Sequence, residues 1–353
     1  MGIAKGRFMI DTHVHAQRHA MNWKGRKESP DYVNLMKGMQ RSVAYDNSPR
    51  LLYDMERYSV DMCILLRGPG MGDELNMEII KDHPDKFIGM CGGSSYIDKC
   101  RRGETRWDIK EFCKELDDVL STGLFVGIGE GMPTGPIADM NKLLPWEARF
   151  EEICHIMEVA RKHKVTTGFH SGGMSGYGGG RHQLGRRAYQ LEWNPLLGHD
   201  IAAEFPDVPL IIVHGGMDGW WSEMYMDPVL EVAAAHPNVY IETGEWWAEL
   251  YEKPLRDPNI GCERLLWGTD WGTAHPVQWW PGGYPTQYFD QSRKEGIPGH
   301  MPDIFGWSLG QLDKLDIPQD DLNLILGGNA VRIFSLEDKM PHTRLFKQYL
   351  KPR

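Results

Sequence analysis

The stretch Phe8-Met9-Ile10-Asp11-Thr12-His13-Val14-His15 decides how this chain is read: a short apolar run that closes on a His-x-His dyad. Successive side chains of a strand point to opposite faces, so residues i and i+2 share a face. Two imidazoles side by side at a strand's end can hold one divalent cation. The pattern alone is weak, because His-x-His arises by chance. It gains weight from three later residues in the same setting: His170 after Thr167-Gly168-Phe169, His214 after Ile211-Ile212-Val213, and Asp270 after Leu266-Trp267-Gly268-Thr269. Each ends, or nearly ends, an apolar run that reads as a buried strand. Core packing does not readily explain metal-type residues at four strand ends.

Working outward, eight strands are predicted at roughly 8–13, 61–67, 87–92, 125–130, 165–170, 209–214, 239–243 and 264–269, most with helical stretches between them. In 147–163, Phe150, Ile153, Cys154, Met157 and Ala160 recur at helical spacing and predict a buried stripe. Asn194-Pro195 reads as an N-cap followed by proline at the first helical position, and Asp227-Pro228 reads as the same device. Strands alternating with helices imply parallel pairing. Eight such units point to an α/β fold, the (β/α)8 TIM barrel, with residues 1–353 as a single domain. A doubly wound open sheet is the alternative, but that fold usually opens on a Gly-rich turn, where this chain has His-Val-His. Long loops are expected after strands 1, 5 and 8, at the C-terminal face where active-site loops of a barrel sit.

Composition narrows the function. Of 353 residues, 41% are hydrophobic and 25% charged, as in ordinary globular proteins. The net charge of −10 argues against a nucleic-acid partner, which would want a basic face. No apolar run reaches the ~18 residues of a membrane span, and Met1–Arg7 lacks the apolar stretch of a signal peptide, so a cytoplasmic location is expected. The six cysteines form no Cys-x-x-Cys pair and read as reduced and structural.

On a barrel, His13, His15, Glu130, His170, His214 and Asp270 would converge on one mouth. Imidazoles and carboxylates around an open position make a catalytic metal centre. Such a metal acidifies a bound water or polarises a substrate oxygen, and Asp270 beside it can both ligate and take the proton. One or two divalent ions per chain are expected, zinc first, with iron or manganese as the other candidates.

The motifs His13-Val14-His15, His170, His214-Gly215-Gly216 and Gly268-Thr269-Asp270 resemble the amidohydrolase superfamily. The likeness is greatest to amidohydrolase family 2, the branch with the aminocarboxymuconate-semialdehyde and resorcylate decarboxylases. His236-Pro237-Asn238-Val239-Tyr240 and Leu326-Gly327-Gly328-Asn329-Ala330 match that family's phrases as well. The resemblance implies that His13, His15, His170 and Asp270 ligate a metal, and that His214 is either a ligand of a second metal or an acid/base. It also implies an oligomer, formed with itself or with a paralogous subunit.

Glu130, ending strand four in Gly127-Ile128-Gly129-Glu130-Gly131, matches the place where related barrel hydrolases carry a metal-bridging carboxylate. The other reading is a hydrogen bond to a neighbouring strand. Arg181, in the glycine-rich loop after strand five, suits a substrate carboxylate, or is a solvated surface residue. Glu242 and Glu245 near the end of strand seven are expected to meet substrate or to support the ligands, and Trp246 behind them to line the substrate pocket. Three functions follow. The first is a metal-dependent hydrolase or decarboxylase acting on a small carboxylate-bearing anion. The second is a dinuclear iron or manganese–iron oxygenase that hydroxylates a small substrate. The third is a silent structural paralogue, against which the intact ligand set counts.

Overall fold

A computed structural model describes residues 2–16, 18–19, 45–46, 48–67, 73–101, 103–130, 132, 145–171, 194–217, 225–244, 246–271 and 303–339. Eight strands form one sheet in sequence order: β1 (Ile10–Val14), β2 (Met62–Leu65), β3 (Phe87–Cys91), β4 (Phe125–Ile128), β5 (Thr166–His170), β6 (Leu210–Val213), β7 (Val239–Glu242) and β8 (Leu265–Leu266). Every neighbouring pair runs parallel. The ring closes between β8 and β1 without a regular ladder. Thr12 N donates to Trp267 O at 3.0 Å and His15 N to Trp271 O at 2.8 Å. Val14 and Trp271 form an isolated parallel bridge. All eight expected strands are present, in the expected single-domain (β/α)8 arrangement.

The strands are apolar almost throughout because both of their faces are covered. Ile10, Met62, Ile64, Ile88, Met90, Val126, Ile211 and Val213 fill the barrel's interior. Their alternates, such as Cys63, Leu65, Phe87, Phe125, Leu210 and Ile212, pack against the helices. The helix Trp146–His163 buries Ile153, Ile156, Met157 and Ala160, close to the stripe its spacing predicts, and ends on Arg161, Lys162 and His163, which complement the helix dipole.

Strand β1 breaks the alternation. Ile10 belongs to the interior cluster, yet Val14, an even number of residues later, packs outside it. A register shift between Asp11 and Val14 accounts for the change. Such bulges re-aim side chains beside functional sites.

The two asparagine phrases at the foot of the barrel turn out to be ties. Asn238 donates its amide to the carbonyls of Ala202, Phe205 and Val208 at 3.2, 2.9 and 3.2 Å. Asn329 donates to those of Cys262 and Leu265, both at 2.8 Å. Gly327 lets that turn approach β1, since a Cβ there would lie 2.3 Å from Phe8 O. The N-cap expected at Asn194 is present, its side chain accepting from Leu196 N at 3.1 Å. The one expected at Asp227 is not. The helix Met226–Ala235 starts two residues earlier, after Tyr225, which makes no side-chain cap, and Asp227 instead pairs with Lys253 at 2.6 Å. Most of the loops expected after β1, β5 and β8 lies outside the described residues.

Candidate metal centre

The ionisable residues of the mouth come from six of the eight strands. His13 and His15 close β1, Glu130 follows β4, His170 ends β5, His214 follows β6, Glu242 ends β7 and Asp270 follows β8. The bulge in β1 is what turns both His13 and His15 toward the axis.

These groups fall into two halves with Glu130 between them. In one, His13 Nε2 and His15 Nε2 lie 3.0 Å apart, and Asp270 Oδ1 is 3.5 Å from His13 and 3.0 Å from His15. Glu130 Oε2 faces this pair at 3.7 and 3.4 Å. In the other half, Glu130 Oε1 lies 3.3 Å from His170 Nε2 and 3.5 Å from His214 Nε2. The atoms His13, His15 and Asp270 offer lie within 4.8 Å of one another, as do those of Glu130, His170 and His214, and a third set, His13, His214 and Glu242, links the two. The structure thus groups His170 with Glu130 and His214 rather than with the strand-one dyad.

His214 and Asp270 both sit in the left-handed backbone region, at φ 61° and 54°. That conformation costs a non-glycine residue on the order of 1–2 kcal/mol, and such strain gathers at functional sites. Around His214 it is offset by specific bonds. His214 N donates to Glu242 Oε2 at 2.9 Å, and Trp246 Nε1 donates to His214 O at 3.0 Å. Ser171 accepts from Gly216 N at 2.9 Å just beyond. Around Asp270, buried Asp11 accepts from Thr269 N at 3.1 Å and from Thr269 Oγ1 at 2.5 Å, and also from His13 N at 2.9 Å.

The electrostatics favour a cation. Burial opposes ionisation of Glu130, but the imidazoles of His13, His214 and His170 around it hold its carboxyl well below the usual range. Asp270 is likewise lowered against burial, first by its hydrogen bond with His15. Burial, and then His214 beside it, push His170 down to about 3, which leaves a neutral imidazole ready to ligate. His13 is buried too, yet the carboxylates of Glu242 and Glu130 raise it well above the ordinary imidazole range. A proton and a metal ion therefore compete for His13 Nε2. Among the described residues, no lysine or arginine pairs with Glu130, Glu242 or Asp270. Carboxylates gathered out of water without a fixed cation fit a site for divalent metal.

Two of the residues expected around the substrate or the ligands fall within the described part of the structure. Glu242 and Trp246 are buried behind the histidines, the first against His13 and His214, the second on the His214 carbonyl. Arg181 and Glu245 lie outside the described residues. The sequence reading passed over Asp11, Ser171 and Thr269, which hold the ligand-bearing turns. A carboxylate inside an apolar strand was the available signal for Asp11; nothing comparable marked the other two.

No curated protein matches the chain. Several solved structures share its fold. A probable 2-pyrone-4,6-dicarboxylic acid hydrolase from Acinetobacter baumannii is similar with a TM-score of 0.51 at 12% identity, over 93% of this chain and 99% of the other. 5-Carboxyvanillate decarboxylase from Sphingomonas paucimobilis reaches 0.53 at 14% identity, over 93% and 99%. An organophosphorus hydrolase from Deinococcus radiodurans reaches 0.51 at 13%, over 92% of each chain. The amidohydrolase family profile matches residues 10–336, from the first barrel strand to the helix after the Asn329 turn. With that match over nearly the whole barrel, the chain belongs to the amidohydrolase family, a family of enzymes.

Proposed function

We propose that this protein is a metal-dependent hydrolase or decarboxylase with a two-ion centre, acting on a small carboxylate-bearing molecule. The observation that carries the two-ion reading is Glu130, whose two oxygens each face a different pair of histidines at 3.3 to 3.7 Å. His13, His15, Asp270 and Glu130 Oε2 would hold one ion; His170, His214 and Glu130 Oε1 would hold the other. Divalent metals in such sites acidify bound water toward neutral pH or polarise a substrate oxygen.

The chain's own groups then have defined tasks. Asp270, held as an anion and partly exposed at the mouth, accepts a proton from the reacting molecule and returns it later. With one ion only, His214 would be free of ligation and would instead steady charge on the reacting carbonyl. Arg181 would meet the substrate's carboxylate, and two of the fold neighbours carry carboxylated substrates in their names.

A second reading follows from the donor set. Each half offers two imidazoles and a carboxylate, with Glu130 shared as a second carboxylate on the His13 and His15 side, and two imidazoles with a carboxylate are also the facial set of non-haem iron oxygenases. Oxygenation at a dinuclear iron or manganese–iron centre is therefore the competing chemistry. Elemental analysis of protein purified without added metal separates the two. About two zinc ions per chain support the hydrolase or decarboxylase, while iron in the pair moves oxygenation to the front. One ion per chain would remove Glu130 from its bridging role, and no metal would sink the ligand assignment.

A further inference from the structure

Glu242 stands behind both halves of the site at once. Its Oε2 accepts from His13 Nδ1 at 3.0 Å and from the backbone N of His214 at 2.9 Å. His13 belongs to the half with His15 and Asp270, whereas His214 belongs to the half with Glu130 and His170. One carboxylate oxygen thus touches one candidate ligand of each. The side chain is only 2% exposed, which leaves it no access to substrate.

The surroundings are cut to admit it. A Cβ at Gly268, two residues before Asp270, would lie 2.0 Å from Glu242 Oε1, and one at Gly244 would lie 2.8 Å from the same atom. Oε1 itself has no hydrogen-bond partner among the described residues. A buried carboxylate with an unpartnered oxygen is costly as a device for stability alone. It is well suited to a different task. By accepting from Nδ1 it fixes the tautomer and ring orientation of His13, so that Nε2 faces Asp270 and Glu130, and it raises that nitrogen's basicity. By accepting from His214 N it also holds the left-handed backbone that aims His214 at Glu130.

We propose that Glu242 is a positioning residue that couples the two halves of the metal centre, so that ordering His13 for one ion also orders His214 for the other. This rests on the two-ion reading above. The test is binding of Mn2+ alone to metal-stripped, full-length protein, followed by equilibrium dialysis and elemental analysis, for the wild type, Glu242→Gln and Glu242→Asp. Glu242→Gln keeps the shape and removes the charge; Glu242→Asp keeps the charge and withdraws it from both donors. The expected result is two equivalents in the wild type, with the affinity for both weakened about 10–100-fold in Glu242→Gln and by a smaller factor in Glu242→Asp. In 15N-histidine-labelled zinc protein, the Nδ1–H resonance of His13 shifts or is lost in the variants, a change that general loosening of the fold would not single out. Two equivalents bound with unchanged affinity by Glu242→Gln would overturn the proposal, as would weakening of one ion alone. Fewer than two equivalents in the wild type would instead overturn the two-ion reading, and the coupling with it.

Discussion

The two ends of this barrel are held together by different chemistry. At the foot, the ties are neutral amides on backbone carbonyls: Asn238 on three of them, Asn329 on two. The side-chain amides of both asparagines find their acceptors within the protein. At the mouth, four histidines and three carboxylates crowd together, joined by hydrogen bonds and half-formed ion pairs, with two residues in left-handed backbone. The contrast teaches that the ties at the foot are complete in themselves, while the crowded charges of the mouth fit a cation from outside the chain. Stability and function should therefore separate along the barrel axis.

The largest expected effect is at the mouth. Glu130→Gln should remove the shared charge between the halves, lower the bound metal to about one ion, and reduce turnover ~100-fold or more, in line with the several kcal/mol a metal ion contributes. Metal analysis beside steady-state kinetics checks it. Two ions retained in that variant would break the comparison at its centre.

Next comes the foot. Asn329→Ala removes the side-chain donor from the buried carbonyl of Leu265 and one of two donors from that of Cys262, which keeps the Leu265 N–H, at about 1–3 kcal/mol in all. Thermal and denaturant unfolding should register the loss, while the metal count of the folded protein stays as in the wild type. A variant that melts normally but binds less metal would show that the two ends are not independent.

Chelation sharpens the contrast from the other side. Stripping metal should lower the melting temperature of the wild type, because an ion present at 100 times its Kd adds about 2.7 kcal/mol to the folded state. The same treatment should leave Asn329→Ala with its full deficit relative to the stripped wild type, measured by calorimetry. Loss of that difference on stripping would mean that the foot depends on the occupied mouth.

The smallest effect belongs to the outer layer. Asp117 accepts from Lys162 and His163, both at 2.6 Å, and these bonds lower its pKa from 3.8. A carboxyl lowered in the folded state adds stability above its unfolded pKa and loses that contribution as pH falls through the folded one. Asp117→Asn should thus cost up to about 1 kcal/mol near pH 7, the range for exposed pairs, and progressively less below about pH 3.8. Urea melts at pH 7 and pH 3 give the comparison, and an equal cost at both values would refute it.

Much of this molecule was legible before its structure. The strand runs stood out because a parallel barrel buries both faces of each strand, and buried runs are apolar from end to end. The candidate ligands stood out for the converse reason: a histidine or carboxylate at the end of such a run is conspicuous against its neighbours. Asp227 misled, because Asp-Pro carries the same signal inside a helix's first turn as at its cap, and a shift of two residues decides between them.

The sequence by itself determined the fold class, the strand positions and the identity of the groups at the mouth, since these depend on local pattern and composition. Tertiary structure alone decided the bulge that turns His13 and His15 inward, the division of the cluster into two halves about Glu130, and the place of Glu242 behind His13 and His214. Those features come from meetings such as that of His13 with Glu242, 229 positions away, at 3.0 Å. No local pattern encodes such a meeting, because it is set by how eight strands close into a ring.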